Sequence, residues 1–289
     1  MPKKKLVFPS SCFFVAAVVL VALLMTGCQG LATMQGRPDT GLSFSSPLPP
    51  LENPVRDSAA LRKVLDSRAK AVRSVRARAN IVVGSGRDAR QRFEGLIFVE
   101  PGQFLRMRAT QSGATVFDLL VKDQTSTLIV LPDRTVYRGR LLDLERDSRL
   151  TAGISPRLLL DVPRIEEILR DRFASGNIAV RTANKGRLTL TADDPHSGET
   201  EIFTVRSVDG LVERYRRLRG RRKLFEVRFW SYEDVDGCVV PTRFAVENAA
   251  GGAILVTLSE VQLNQPRTAA LETVEVPEGF AVRQLRAQE

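Results

Sequence analysis

Hydrophobic positions along this chain recur with two periods, and the points where the period changes mark out its elements. Leu61, Val64, Leu65, Ala71, Val72 and Val75 return every three or four residues, opposite Arg62, Lys63, Asp66 and Lys70. That spacing predicts an amphipathic helix between Val55 and Val75, with Asp57 or Ser58 as its N-cap. The period then drops to two. Val75, Ala77, Ala79, Ile81 and Val83 face one way, and Arg76, Arg78 and Asn80 face the other, as in a half-buried strand. Further strands are expected at Gln91–Val99, Gln103–Ala109, Ala114–Lys122, Ser126–Leu131 and Thr135–Arg138, divided by turn residues such as Pro101-Gly102, Ser112-Gly113 and Pro132-Asp133. These links are too short for parallel crossovers, so the strands are read as antiparallel hairpins.

The alternation breaks between Asp143 and Phe173, where Ser155-Pro156 and Pro163 open short helices; Ile165, Ile168 and Leu169 form an apolar stripe. Strands resume at Ile178–Thr182, Arg187–Ala192, Thr200–Ser207, Leu211–Leu218, Lys223–Tyr232, Val239–Glu247 and Ala253–Leu263. A short closing strand is expected in the tail between Ala270 and Leu285. The pattern implies a mainly β (α+β) domain over residues 55–289. Its expected form is a curved antiparallel half-barrel of about eleven strands, with an N-terminal helix and short helices across the concave face.

Residues 1–54 follow different rules. Lys3, Lys4 and Lys5 precede an uncharged apolar run from Cys12 to Met25, which is too short for a spanning helix and is followed by Thr26-Gly27-Cys28. This is the order of an export leader, and its end resembles the lipobox of bacterial lipoproteins, with Met25 where that family usually carries Leu. The resemblance implies cleavage after residue 27 and acylation of Cys28, which ties the chain to a membrane of the cell envelope. Gln29, which is not acidic, implies the outer membrane, facing the periplasm. Residues 28–54 are rich in Pro, Gly and Ser and read as a tether.

Composition changes this picture in two respects. Losing the three lysines of the leader takes the formal charge from +10 to +7, which favours anionic neighbours; export argues against nucleic acid. Of the three cysteines, only Cys238 remains for the domain, so no internal disulfide is expected and Cys238 is read as a small buried residue.

One segment carries a family resemblance. Phe93-Glu94-Gly95-Leu96-Ile97-Phe98-Val99-Glu100-Pro101-Gly102-Gln103-Phe104-Leu105-Arg106-Met107, with Gly113 and Phe117-Asp118-Leu119-Leu120 after it, resembles the superfamily of lipoprotein localisation factors (LolA/LolB-like). Val274-Glu275-Val276-Pro277-Glu278-Gly279-Phe280 is similar to that superfamily's closing strand and turn. The resemblance implies a half-barrel that holds acyl chains or lipoprotein cargo. On that basis Leu105, Met107, Phe117, Leu119, Phe225, Val227 and Phe229 are the expected lining of a ligand cavity. The chain departs from the outer-membrane receptor at Gln111-Ser112-Gly113-Ala114, which has no large apolar residue where that protein exposes a leucine.

Other candidate chemistry is sparse. Arg214, Arg216, Arg217, Arg219, Arg221, Arg222 and Lys223 crowd one hairpin and could meet an anionic surface, or serve as a solvated edge protected by its charge. This charge also supports an alternative, a non-catalytic adaptor for another envelope protein or an anionic polymer. Arg106 and Arg108 are expected in solvent on the convex face. His196 is the lone histidine and sits in a turn, so neither a zinc site nor a Ser-His-Asp arrangement is supported. No glycine-rich phosphate loop is placed to bind a nucleotide cofactor. The expected role is non-enzymatic.

Overall fold

The period-two stretch at Val75 builds the strand on which the sheet is centred. In the computed structural model, which describes residues 43–69, 71–85, 91–151, 155–176, 178–183, 186–194 and 197–286, this strand is β1 (Val75–Ser85). The leader, Cys28, the first part of the tether and His196 lie outside the described residues. β2 (Gln91–Glu100), β3 (Phe104–Gln111), β4 (Ala114–Lys122), β5 (Thr125–Val130) and β6 (Thr135–Arg140) follow as antiparallel neighbours on one side of β1. On its other side β1 pairs with β13 (Gly252–Leu263), Val75 opposite Leu263 and Ser85 opposite Gly252. Beyond β13 come β12 (Cys238–Asn248), β11 (Arg222–Val235), β10 (Val212–Arg219), β9 (Glu199–Arg206), β8 (Arg187–Asp194) and β7 (Ile178–Ala183). With β14 (Ala281–Gln284) beside β6, the described residues form one open sheet of 14 strands, β14-β6-β5-β4-β3-β2-β1-β13-β12-β11-β10-β9-β8-β7.

The helices that precede β7 gather on the concave face. α1 (Ser58–Ser67) is capped by Asp57, whose carboxylate accepts the Ala60 N–H at 2.8 Å, and it buries Leu61 and Leu65. It ends earlier than its apolar spacing predicts, because Val72 and Val75 pack into a separate small cluster with Cys238, Val240 and Leu263. Arg73 and Ser74 are tied instead to the end of β13, through Asn264 and Gln265. After β6 come α2 (Leu141–Arg146), α3 (Ser148–Thr151), α4 (Pro156–Asp161), a 3-10 turn (Val162–Arg164) and α5 (Ile165–Ala174). Ser155 caps α4 and Pro156 opens it, as the sequence signals require.

Three features depart from the sequence reading. Residues 44–54, expected as tether, are bound to the domain. Ser45 donates to the Trp230 carbonyl at 2.7 Å and accepts from Tyr232, along the edge of β11 where β10 has ended. Phe44 lies under the Arg206 guanidinium at 4.0 Å, and the N–H groups of Leu51 and Val55 reach the carbonyls of Val208 and Ser207. Second, β14 pairs with β6 in parallel, not antiparallel. The tail that delivers it, including α6 (Ala269–Glu272), crosses the outer face of β3–β6. There Arg267 stacks over Phe104 at 4.8 Å and pairs with Glu100 and Glu272, and Lys122 meets Glu272 at 2.6 Å.

Third, this cover buries part of the convex face. Phe98, Phe104, Ile129 and Val136 are buried there, and so is Arg106, which pairs with buried Asp118 at 2.6 Å. The expectation that Arg106 sits in solvent is therefore wrong: period two assigns a face, but it cannot see what later crosses it. Arg108 remains largely exposed and bonds the same carboxylate at 3.1 Å.

Gly95 gives a direct test of strand packing. It lies between Ala79 and Ala109, and a Cβ there would stand 2.3 Å from the Arg108 carbonyl oxygen. Gly95→Ala should push β2 and β3 apart at a cost of about 1–3 kcal/mol, or about 2–4 °C in Tm per kcal/mol. Thermal unfolding of the full chain checks this; an unchanged Tm would contradict it.

Candidate functional site

Strand alternation sends Leu105 and Met107 of β3, Phe117 and Leu119 of β4, and Phe225, Val227 and Phe229 of β11 to the concave face. Met107 stands opposite Leu119, and Ala109 opposite Phe117. The seven residues fall into two groups, one on each side of the β1–β13 seam. Five are buried, while Phe117 and Phe225 are half-buried. They belong to one apolar cluster with Leu61 and Leu65 of α1, Leu141 and Leu144 of α2, Leu158, Leu159 and Leu160 of α4, and Ile165 and Leu169 of α5. The concave face is thus filled by the chain's own helices. A pit of about 30 Å³ and a groove of about 430 Å³ both border α1 and α5, and none of the seven residues lines either one.

The two ends of the half-barrel differ. At the hairpin end, where β4 and β11 begin, Val83, Phe117, Val130, Phe173 and Phe225 are packed against the core but remain partly open. At the opposite end the space between α1, α5 and the β9–β10 loop is filled by charge. Arg68 donates to the carbonyls of Asp209 and Gly210 at 3.0 and 3.2 Å and lies 3.5 Å from Glu166. Arg206 pairs with buried Asp209 at 3.2 Å. Burial pushes the Glu166 carboxyl upward, against the pull of Arg68 and Arg170. Burial likewise raises the Tyr232 phenol, which donates to the Val212 carbonyl at 2.7 Å. Gly210 has φ +70°, and its missing Cβ leaves room for Val64 of α1.

A second charged cluster holds the other end of α5. Glu201 of β9 is 2% exposed and accepts from Arg172 of α5 at 2.5 Å, from Arg217 at 2.7 Å and from the Tyr215 hydroxyl at 2.8 Å. Burial alone would raise the Glu201 carboxyl, but these hydrogen bonds outweigh it and hold the group below the ordinary carboxylate range. α5 is therefore clamped by ion pairs at both ends, through Glu166 to Arg68 and through Arg172 to Glu201. The sequence reading missed this clamp. Its signal was the parity of Glu201 with Phe203 and Val205, which places an acid on an apolar strand face.

The structure also divides the basic hairpin. Arg217 faces the concave side, where it pairs with Glu201 and stacks over Phe225 at 5.5 Å. Arg219 pairs with Glu199 at 2.7 Å, and Lys223 with Glu247 at 2.6 Å. Arg214 and Arg216 fall on the opposite, convex face. Arg221 and Arg222 stand exposed at the tip, with no ion pair among the described residues.

No family model matches the chain, and no curated protein sequence matches it. Among solved structures it is similar to a domain described as an outer membrane lipoprotein-sorting protein from Vibrio parahaemolyticus. The TM-score is 0.50 at 10% identity, over 73% of this chain and 93% of that one. A LolA superfamily protein from Nitrosomonas europaea follows at TM-score 0.45 and 12% identity, over 74% and 96% of the two chains. A DUF1329 family protein from Desulfovibrio piger gives 0.49 at 12%, over 73% and 93%. The likeness is one of fold: the chain has a LolA-like half-barrel.

The α5 clamp has a pH signature. Glu201→Gln should destabilise the full chain by about 1–3 kcal/mol at pH 7, because two arginines lose a buried carboxylate. The folded-state pKa of Glu201 is depressed, so its stabilisation is present above the unfolded carboxylate value of about 4.3 and is lost as pH falls through the lower, folded value. Urea unfolding of both proteins should show the gap closing as the pH is lowered through that range. A gap independent of pH would sink the assignment.

Proposed function

We propose that this LolA-like half-barrel binds an acyl chain, or the lipid of an acylated partner, against its concave face, and that it serves lipid or lipoprotein handling in the cell envelope. The observation that carries this reading is the nature of the cover. A continuous apolar face spanning β3–β4 and β11 is closed by helices of only 6 and 10 residues, α4 and α5, instead of by more strands. Helices this short hold little structure of their own and depend on the packing beneath them. α5 is fastened at its ends by ion pairs, which can part without tearing a strand ladder. α4 packs over β2 and β3, and displacing α4 and α5 together would open the apolar cluster to which Leu105, Met107, Leu119, Val227 and Phe229 belong. The half-buried Phe117 and Phe225 at the hairpin end mark where a chain would enter. The similarity to a lipoprotein-sorting domain supports the same class of ligand. In this reading acylated Cys28 anchors the protein in the outer membrane, and the half-barrel works from there without catalysis.

Site-specific photocrosslinking in growing cells tests the reading without removing the anchor. A benzophenone amino acid in place of Met107 or Phe117 should give adducts that carry metabolically labelled acyl chains. The same group at Arg92, on the convex face, should give none. Absence of labelled adducts at both concave positions would refute acyl binding. For the anchor, Cys28→Ser should abolish fatty-acid labelling and leave the precursor uncleaved; labelling that persists would rule out Cys28.

A further inference from the structure

The alternation that buries Phe225, Val227 and Phe229 turns Glu226, Arg228 and Trp230 of β11 to the convex face. Arg214 and Arg216 of β10 stand directly opposite Arg228 and Glu226. On the other flank, Arg243 of β12 pairs in register with Ser231, beside Trp230, at a bulge in β11. Four guanidinium groups thus share one short stretch of sheet, on strands about 4.8 Å apart. The charge balance is uneven. Glu226 is buried and serves as partner to both Arg228 and Arg214, the latter at 3.8 Å. Glu247, the next acid along that row, is taken by Lys223. The Nε atoms of Arg216 and Arg243 are buried without a hydrogen-bond partner among the described residues.

Two points set this surface apart from an ordinary solvated sheet face. Arg214 directly opposite Arg228 is a like-charge cross-strand pair, which costs stability in a free sheet. Nothing in the core requires it, since both side chains point away from the apolar face. The Arg214 and Arg228 side chains are 37% and 20% exposed, so much of each is covered by its neighbours. Trp230, the single tryptophan of the chain, sits half-buried among them, and its backbone is held by Ser45. Arg and Trp are the residue types that dominate binding at protein interfaces.

We infer that the convex face of β10–β12 docks an acidic, extended segment of a protein partner, with Arg214, Arg216, Arg228 and Arg243 taking its carboxylates and Trp230 packing beside them. Arg214 and Arg216 are two residues apart on one strand, so their side chains repeat about every 6.6–6.8 Å. Carboxylates at alternate positions of an extended peptide repeat at the same interval, and a planar guanidinium binds a carboxylate through two parallel hydrogen bonds. A bilayer fits less well, because all four arginines are half-buried and none stands fully exposed on this face. The site is separate from the concave face and stands whether or not acyl chains bind there.

The single tryptophan makes the test direct. The full chain in neutral detergent is titrated with a synthetic twelve-residue peptide of alternating Glu and Thr, and Trp230 emission is followed. Saturable binding is expected at low salt, weakening as salt is added. Arg214→Ala and Arg243→Ala should each weaken it about tenfold, while a double Arg221→Ala, Arg222→Ala variant at the hairpin tip should bind as the parent does. Arg243→Lys, which keeps the charge but loses the planar donors, should fall between parent and Arg243→Ala; it guards against a fold defect, as does far-UV circular dichroism of each variant. No saturable change, binding by Arg214→Ala and Arg243→Ala as tight as the parent's, or an equal loss in the tip variant would overturn the inference. So would tighter binding to micelles doped with phosphatidylglycerol than to the peptide through the same arginines, which would assign the face to lipid.

Discussion

The pairing of β1 with β13 is the constraint on which the rest of the molecule depends. It brings residues 75–85 against residues 252–263 and fuses two hairpin series into one sheet. Each series alone would be a modest antiparallel ladder with an apolar face. Joined, they present a single apolar face from β7 to β6 that is too extensive to leave in water. An open sheet cannot solve this by closing on itself, so other elements have to fill its hollow. α1, which immediately precedes β1, and the helices between β6 and β7 are placed to do so by their positions in the chain. Because the seam forms only when distant segments meet, the halves of the concave face, including both groups of candidate ligand residues, are brought together by tertiary contact alone.

The manner of filling has consequences for function. Apolar packing supplies most of the attraction between cover and sheet, and it lacks direction. Direction comes from charges at the two ends of α5, where Glu166 meets Arg68 at the end of α1 and Arg172 meets buried Glu201 of β9. Such pairs add little net stability when intact, yet losing one partner is costly because the other is left buried. They therefore fix where α5 sits more than they hold it down. A cover with this division of labour can be displaced by a ligand that supplies equivalent apolar contact and can still return to one position.

Much of the fold was legible in the sequence because its signals are local. The Asp57 cap, the Ser155-Pro156 start and the alternation of β3, β4 and β9 each depend on residues a few positions apart. What escaped depended on distant neighbours. Arg106 has the parity of a surface residue, yet it is buried against Asp118 on a face where a tail some 160 residues later covers neighbouring Phe104. Phe44 and Ser45 lie in a stretch with the composition of a linker, yet they bind because β10 stops short and leaves part of the β11 edge open. α1 stops short of Val72 because that side chain belongs to a different cluster. At the candidate site, parity alone assigned the seven apolar residues to the concave face. It could not tell whether they line a void or a packed core, since both require the same side chains in the same places.

The basic run around Gly220 shows how far strand geometry governs what a charge can do. Read as composition, Arg214 to Lys223 is one positive patch. In a strand, successive residues face opposite sides, so the run is divided before any partner is considered. Arg217 is drawn into the concave side to neutralise Glu201 and so becomes part of the machinery that positions α5. Arg214 and Arg216, three residues and one residue before it, join Arg228 and Arg243 on the outer face, where carboxylates are outnumbered. Arg219, Arg221 and Arg222, at and beside the turn, keep the exposed character that composition suggested, and of these Arg219 pairs with Glu199. The excess charge of the domain therefore does not lie where the arginines are densest in sequence. It lies where alternate positions on three adjacent strands coincide, and that convex face, separated by the sheet itself from the apolar face beneath, is where an anionic partner has most to gain.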